Sequence, residues 1–511
     1  LPELITSTLE ADGLLLASID MADRTMNVFS FALMDELDAL MDRVEADDAV
    51  KAVVLTSGKS SFLAGADLVM VRGFCAEART ATHDHMFEIC GRLGRQFVRL
   101  EQCPKPWVAA VSGLALGGGL ELSMACRARL VADNPRIQLG LPEIRWGLLP
   151  GAGGTQRLPR LVGYELGMQL LLTGRSLAPQ EAVDSGLFSA ALPAGQLLDA
   201  ARQMARSLVG ITYKPSDKFQ HIDQSQVPAH SETTALAQAQ RFGISAEDYA
   251  LYPAYSAIVD SVLKGARQSL AEANATEMNQ FLRLMFSPVA GRMVRTLFLE
   301  RVRAERELAA PPDVNIAQIR LGRISDGRKA WVEALAKIKL EKLTVDSLPQ
   351  DTLELTDTAG KTHRVHLQVL GDESQALGQN VAGVLAPLGP YGRVLEIVGS
   401  NHSASDALAA LAARMWTLPW CSGAQSSVLN ALYGKPLTEQ AVLAILWAAK
   451  PGTGDLSFMN VAACLSGLSP GWTGGPLAWL WDEQTELVPL FDSNTQSAWE
   501  SIKPRLEQAC S

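Results

Sequence analysis

Residues 113–122 read GLALGGGLEL, and residues 141–158 read LPEIRWGLLPGAGGTQRL. Each segment joins an apolar run to a glycine-dense turn with an acid beside it. In the first, Gly117, Gly118 and Gly119 stand between a buried strand expected over residues 106–116 and a helical run over residues 120–126. Glycines at such a junction let a ligand approach the backbone, because no Cβ stands in the way. N–H groups at a helix N-terminus also favour developing negative charge. Glu121 falls in the first helical turn, where an acid taken alone is more simply a partner for the helix dipole. In the second segment Pro142 fixes the backbone just before Glu143, and Gly147, Gly151, Gly153 and Gly154 crowd the turn that follows. An acid held in this way is a candidate general acid or base. Taken alone, it is more simply a solvated loop residue.

Outward from these segments, strands and helices alternate. Residues 13–20 (GLLLASID) and 49–56 (AVKAVVLT) are short apolar runs bounded by turn formers, and each predicts a strand. Between them Leu33, Leu37, Leu40 and Val44 fall on one face of a helix that Ser30 can cap. Residues 57–67 (SGKSSFLAGAD) read as a loop. Further helical patterns cover residues 255–279 and 289–308, and residues 214–234 form a polar stretch. The alternation predicts an α/β layered fold.

The chain has 511 residues, which sets a prior of about three domains. With 48% hydrophobic and 20% charged residues, it can bury a sizeable core. The net charge of −10 argues against a nucleic-acid footprint. An acidic chain can still hold an anionic ligand through backbone N–H groups. Seven scattered cysteines with no C-x-x-C read as reduced thiols of a cytoplasmic protein. The seven histidines form no zinc motif, and His83 and His85, two apart, would not face each other on a helix. No apolar run is long enough for a transmembrane helix, and no signal peptide is visible; the first residue is not Met, so a trimmed start stays open.

Three ordered motifs, FLAGAD (62–67), GLALGGGLEL and LPEIRWGLLPGAGGTQRL, together resemble the enoyl-CoA hydratase/isomerase, or crotonase, family. The segment LLTGRSLAPQEAVDSGLFSAAL (171–192) is similar to the family's helix and turn after the active site. The resemblance covers roughly residues 10–195 and implies a crotonase-like ββα spiral over residues 1–195. It implies an oxyanion hole from the N–H groups of Ala66 and Gly118, and two catalytic glutamates at Glu121 and Glu143. Ala64, Leu68, Gly117 and Gly151 are the positions it implies for contact with substrate or CoA. Hydration of a 2-enoyl thioester needs this equipment: two N–H donors for the enolate oxygen, and two carboxyl groups whose pKa values differ. In the implied division Glu121 activates water and Glu143 protonates the α-carbon. No metal and no redox cofactor is expected, the CoA thioester itself being the substrate.

Glu121 and Glu143 stand 22 positions apart. This resembles the multienzyme α-subunits of fatty-acid β-oxidation, which have two more residues here than the small single-domain hydratases. Those α-subunits fuse the hydratase to a 3-hydroxyacyl-CoA dehydrogenase. Residues 196–310 are then connecting helices that complete the hydratase, residues 311–400 a degenerate NAD-binding-like region, and residues 401–511 a helical region like the dehydrogenase C-terminus. Aligned on G-x-G-x-x-G, residues 322–327 read GRISDG: Gly322 and Gly327 remain, but Ile324 replaces the glycine that admits the pyrophosphate. Asp346 stands near the expected ribose-binding acid. Glu396 is similar to the dehydrogenase glutamate, while Val384 or Leu385 occupies the position of its histidine. The fold expected is therefore α/β, with a crotonase-like domain, connecting helices, a reduced Rossmann-like segment and a helical end.

Three readings follow. The first is a hydratase of 2-trans-enoyl-CoA that has lost its dehydrogenase. The second is a Δ3–Δ2 isomerase using the same acids. The third is a non-catalytic scaffold subunit. The expected partners are an acyl-CoA substrate and a thiolase subunit or further copies of the chain. Trp416, Trp420, Trp472, Trp479 and Trp481 are either interface anchors or ordinary core aromatics.

Overall fold

The computed structural model describes residues 3–214, 225–309, 316–325, 328–336, 343–345, 348–371, 381–387, 392–399, 402–415, 417–422, 427–451 and 453–510. The chain divides into two compact units, Leu1–Gly291 and Arg292–Ser511. Among the described residues no helix is long and apolar enough to cross a membrane.

The first unit is built on a six-stranded sheet in the order β1 (Ile5–Leu9), β2 (Leu14–Ile19), β3 (Ala52–Ser57), β4 (Trp107–Val111), β6 (Ala128–Ala132), β8 (Ala190–Leu192). The β1–β2 pair is antiparallel and the other four pairs are parallel. The sequences of the central strands fit this position. WVAAV in β4 is buried throughout, as an inner parallel strand covered on both faces must be. A second, two-stranded parallel ladder joins β5 (Ala115–Leu116) to β7 (Leu139–Gly140). The expected strand over 106–116 is thus broken in two after Val111. Gly113 marks the break, since a Cβ there would lie 1.9 Å from the Ser60 carbonyl oxygen.

The helices that follow the early strands are α1 (Phe31–Ala46), α2 (Leu68–Glu77), α3 (His83–Gln102) and α4 (Gly118–Ala125). Ser30 caps α1 by accepting from Leu33 N, and Leu33, Leu37, Leu40 and Val44 are buried. After β7 come α5 (Gly154–Val162), α6 (Tyr164–Thr173), α7 (Pro179–Asp184) and α8 (Ala194–Ser207). The unit continues with α9 (Glu232–Arg241), α10 (Ala246–Leu251), α11 (Pro253–Gly265) and α12 (Leu270–Met285). The single helical pattern expected over 255–279 is therefore two helices. Ser269 and Glu272 form a capping box that starts α12 afresh. Helix α12 packs against α3, α5 and α11.

The second unit contains a seven-stranded mixed sheet in the order β10 (Leu343–Val345), β9 (Ile316–Leu321), β11 (Thr352–Asp357), β12 (Thr362–Val369), β13 (Val381–Leu385), β14 (Val394–Val398), β15 (Leu418–Cys421). Strand β9, the helix Lys329–Leu335 and β10, parallel to β9, keep the βαβ element of a reduced Rossmann-like segment. The other neighbour of β9 is the antiparallel β11, which pairs in turn with β12 as a hairpin. Helices at Val428–Leu432, Leu437–Ala448, Leu456–Leu465, Pro476–Leu487 and Ser493–Cys510 form the helical end. Trp420 is buried in its core, with Trp479 and Trp481 packed against the same cluster. Trp416 lies outside the described residues.

Candidate active site

The β5–β7 ladder places both acids. Leu116 pairs with Gly140 across it, and Gly117 N donates to Gly140 O at 2.9 Å. Glu121 follows the end of β5 within the first turn of α4, and Glu143 follows the end of β7 in the short helical turn Glu143–Trp146. Gly117 has φ 52°, and a Cβ there would lie 2.6 Å from Glu143 Oε1 and 3.5 Å from Gly65 Cα. Gly65, at φ 93°, turns the chain so that its backbone lies against Gly117 and Gly118. The Gly65–Ala66 turn, the glycine triplet and Glu143 thus converge. Phe29 N donates to Gly65 O and Asp67 N to Phe29 O, which pins the backbone on both sides of Ala66. Among the described residues neither Ala66 N–H nor Gly118 N–H has an acceptor.

The two acids are equipped differently. Glu121 is buried, and its Oε1 accepts from Ala152 N at 2.9 Å and Gly154 N at 2.7 Å. Burial raises its pKa to about 7, and those two donors, with the Arg157 guanidinium, limit the rise. Glu143 Oε2 is enclosed and has no hydrogen-bond partner among the described residues. Burial pushes its pKa well above the usual carboxylate range, and the charges of Glu121 and Glu277 push it further. The pair can therefore hold one proton, with Glu121 ionised and Glu143 protonated.

Sequence reasoning missed three members of this cluster. Glu277 on α12 is buried; its Oε1 accepts from Gly153 N at 2.5 Å, and its Oε2 from Thr155 N at 2.8 Å and Thr155 Oγ1 at 2.5 Å. Arg157 on α5 is fully buried, donates to Ala152 O at 2.8 Å and pairs with Glu101 on α3 at 3.1 Å. The available signal for Glu277 was a charged residue four positions after Ala273 on the buried face of an amphipathic helix. The expected positions Ala64 and Leu68 flank the turn: Ala64 N donates to Asn27 O, and Leu68 begins α2 behind its cap Asp67. Gly151 lies against the Phe281 ring and lines a cavity of about 270 Å³ between α3 and α12, with Phe87, Gly91, Val98 and Met278.

The turn after β9 in the second unit contrasts with this site. Gly322 is hemmed in, since a Cβ would lie 2.2 Å from Pro349 O. Ile324 packs against the hydrophobic core of the mixed sheet. Ser325 N–H donates to Asp351 Oδ1 at 2.8 Å, and Asp351 N donates back to Arg323 O at 3.0 Å. Asp351 adopts φ 55°, the only positive φ among the described non-glycine residues. Gly327 and Asp346 lie outside the described residues. Val384 stands directly opposite Glu396 in the β13–β14 register. Glu396 is buried and accepts from Ser427 Oγ, Val428 N and Leu429 N, so it holds the start of the helix Val428–Leu432.

Residues 14–244 match the family described as enoyl-CoA hydratase/isomerase. The chain is 35% identical over 346 residues to the fatty acid oxidation complex subunit alpha of Idiomarina loihiensis, covering 64% of this chain and 46% of that protein. It is equally 35% identical, over 331 residues, to the subunit of the same name from Shewanella halifaxensis, covering 63% and 45%. The chain thus spans a little under half the length of these relatives. A crystal structure of an enoyl-CoA hydratase from Bacillus anthracis aligns over 60% of this chain and 96% of that one, at 25% identity and a TM-score of 0.36.

Proposed function

We propose that the first unit hydrates 2-trans-enoyl-CoA thioesters to 3-hydroxyacyl-CoA. The observation that carries this is the pairing of two unequally equipped buried carboxyl groups with two backbone N–H groups that have no acceptor of their own. Ala66 N–H and Gly118 N–H stabilise the enolate oxygen as water adds to the β-carbon. Glu121, held by two N–H donors, takes the proton from water. Glu143, with no donor on Oε2, delivers a proton to the α-carbon. The cavity walled by Phe87, Val98 and Met278 accommodates an acyl tail beyond Gly151. The test is the ultraviolet absorbance of the conjugated enoyl thioester, followed across acyl chain lengths. Hydration removes that absorbance, and no loss at any length sinks the reading.

We also propose that the second unit has no dehydrogenase activity. Ile324 packs half-buried against the core, Asp351 occupies the N–H of Ser325, and an aliphatic residue faces Glu396. These residues do not fit a dinucleotide. The names of the relatives speak of a complex subunit. That supports work beside another enzyme of acyl-CoA breakdown, a thiolase or further copies of this chain, in the cytoplasm. Co-purification and light scattering separate those partners.

A further inference from the structure

The turn that enters α5, from Ala152 to Thr155, offers four consecutive N–H groups, and two carboxyl groups take them in alternation. Ala152 N and Gly154 N donate to Glu121; Gly153 N and Thr155 N donate to Glu277. The two acids come from helices far apart in the chain, α4 and α12, and both are buried. Glu277 also lies beyond the residues that match the family. From this geometry we infer that Glu277 is a positioning residue, which holds the loop that orients Glu121 and tunes the proton affinity of the Glu121–Glu143 pair. The inference rests on the hydratase reading for its catalytic part.

Glycine makes the alternation possible. Gly153 has φ 99°, and a Cβ there would lie 1.7 Å from an Arg157 guanidinium nitrogen. Successive N–H groups can then point to opposite sides of the loop. The charged and titratable groups around Glu277 are Arg157 and Arg160 of α5, Glu121 of α4, Glu143 of the turn after β7, and Glu101 and Arg95 of α3. From α11 the neighbour is neutral: Ser261 Oγ is 2.7 Å from Thr155 Oγ1. Burial first, and the Glu121 charge second, raise the Glu277 pKa to about 8. Its charge in turn is among the causes that raise Glu143. A carboxyl group whose folded pKa is raised loses stability as pH climbs from its unfolded value toward the folded one. For Glu277 that window runs from its ordinary value of 4.5 to about 8.

Glu277→Gln removes the charge and keeps one of the two acceptor oxygens, while its NH2 faces a donor of Gly153 or Thr155, so the pH dependence rather than the size of the stability loss separates this role from simple scaffolding. Two measurements on the full chain decide. The first, Tm against pH between about 5 and 9, needs no activity. The fall in Tm with rising pH should be shallower in Glu277→Gln, and the effects of Glu277→Gln and Glu121→Gln should be non-additive. The second is the pH profile of enoyl-CoA hydration. The alkaline limb requires protonated Glu143, so removing a charge that raises its pKa should move that limb down by about half a unit or more. The rate at the optimum should fall about tenfold. A variant with the parental Tm slope overturns the coupling, as does a lower rate with an unmoved alkaline limb. If the parent hydrates nothing, the hydratase reading fails, while the Tm arm still decides whether Glu277 and Glu121 titrate together.

Discussion

Two strand–turn–helix elements of this molecule begin alike and end differently. In the first unit, β5 runs into Gly117–Gly119 and then α4; in the second, β9 runs into Gly322 and then the helix Lys329–Leu335. Both turns place backbone N–H groups where a negatively charged group can be received. The first leaves Gly118 N–H without an acceptor among the described residues and sets two carboxyl groups beside it. The second is closed from within: a carboxylate of the chain itself, Asp351, sits on Ser325 N–H, and the half-buried Ile324 packs against the core. Glycine at a turn is therefore a poor mark of function by itself. What matters is whether the donors it exposes are left for a ligand or consumed by the protein.

The largest expected effects test the open turn. Glu143→Gln and Glu121→Gln should each lower kcat for enoyl-CoA hydration by about 10²–10⁴-fold, the usual weight of a positioned general acid or base. Glutamine at 121 still accepts from Ala152 N and Gly154 N, so the fold should be kept. Parental rates in either variant would remove that residue from the chemistry. A smaller effect is expected from a paired glycine experiment. In Gly117→Ala the new Cβ meets Glu143 Oε1 at 2.6 Å and a φ of 52°. Misplacement of the acid should lower kcat by about tenfold to a hundredfold. In Gly322→Ala the new Cβ meets Pro349 O at 2.2 Å, so Tm should fall while kcat stays unchanged. If Gly322→Ala slows hydration, the second turn is not separate from the chemistry, and the contrast breaks.

Much of the first unit was legible because its signals are local. The apolar run in β3, the spacing of Leu33, Leu37, Leu40 and Val44, and the glycine triplet each act over a few residues. The break in 106–116 was not legible, because Gly113 is a turn only by virtue of Ser60, more than fifty positions earlier. Glu121 and Glu143 could be read from their motifs, but their unequal provision could not. It depends on the N–H groups of a third segment and on Glu277, which enters from a helix after the capping box at Ser269. In the second unit Ile324 at the middle position of the turn could be read directly. The acceptor on Ser325 N–H could not, because Asp351 reaches the turn from 26 residues downstream through a backbone angle that no local propensity announces.

The smallest expected effect comes from Asp351→Asn. Asparagine tolerates the left-handed region that Asp351 occupies and can still accept from Ser325 N–H. What it loses is the charge, and with it the ion pair to Arg328 at 3.5 Å. Exchanging a charged for a neutral hydrogen bond should cost about 1 kcal/mol of stability. Hydration should be untouched, because the residue belongs to the second unit and not to the site. An NADH titration followed by fluorescence should show no saturable binding in the parent or in the variant, since Ile324 remains packed against the core. Saturable binding in Asp351→Asn alone would mean that the carboxylate, rather than Ile324, closes the turn. Binding in the parent would mean that the turn is open after all, and that the two strand–turn–helix elements differ less than their hydrogen bonds indicate.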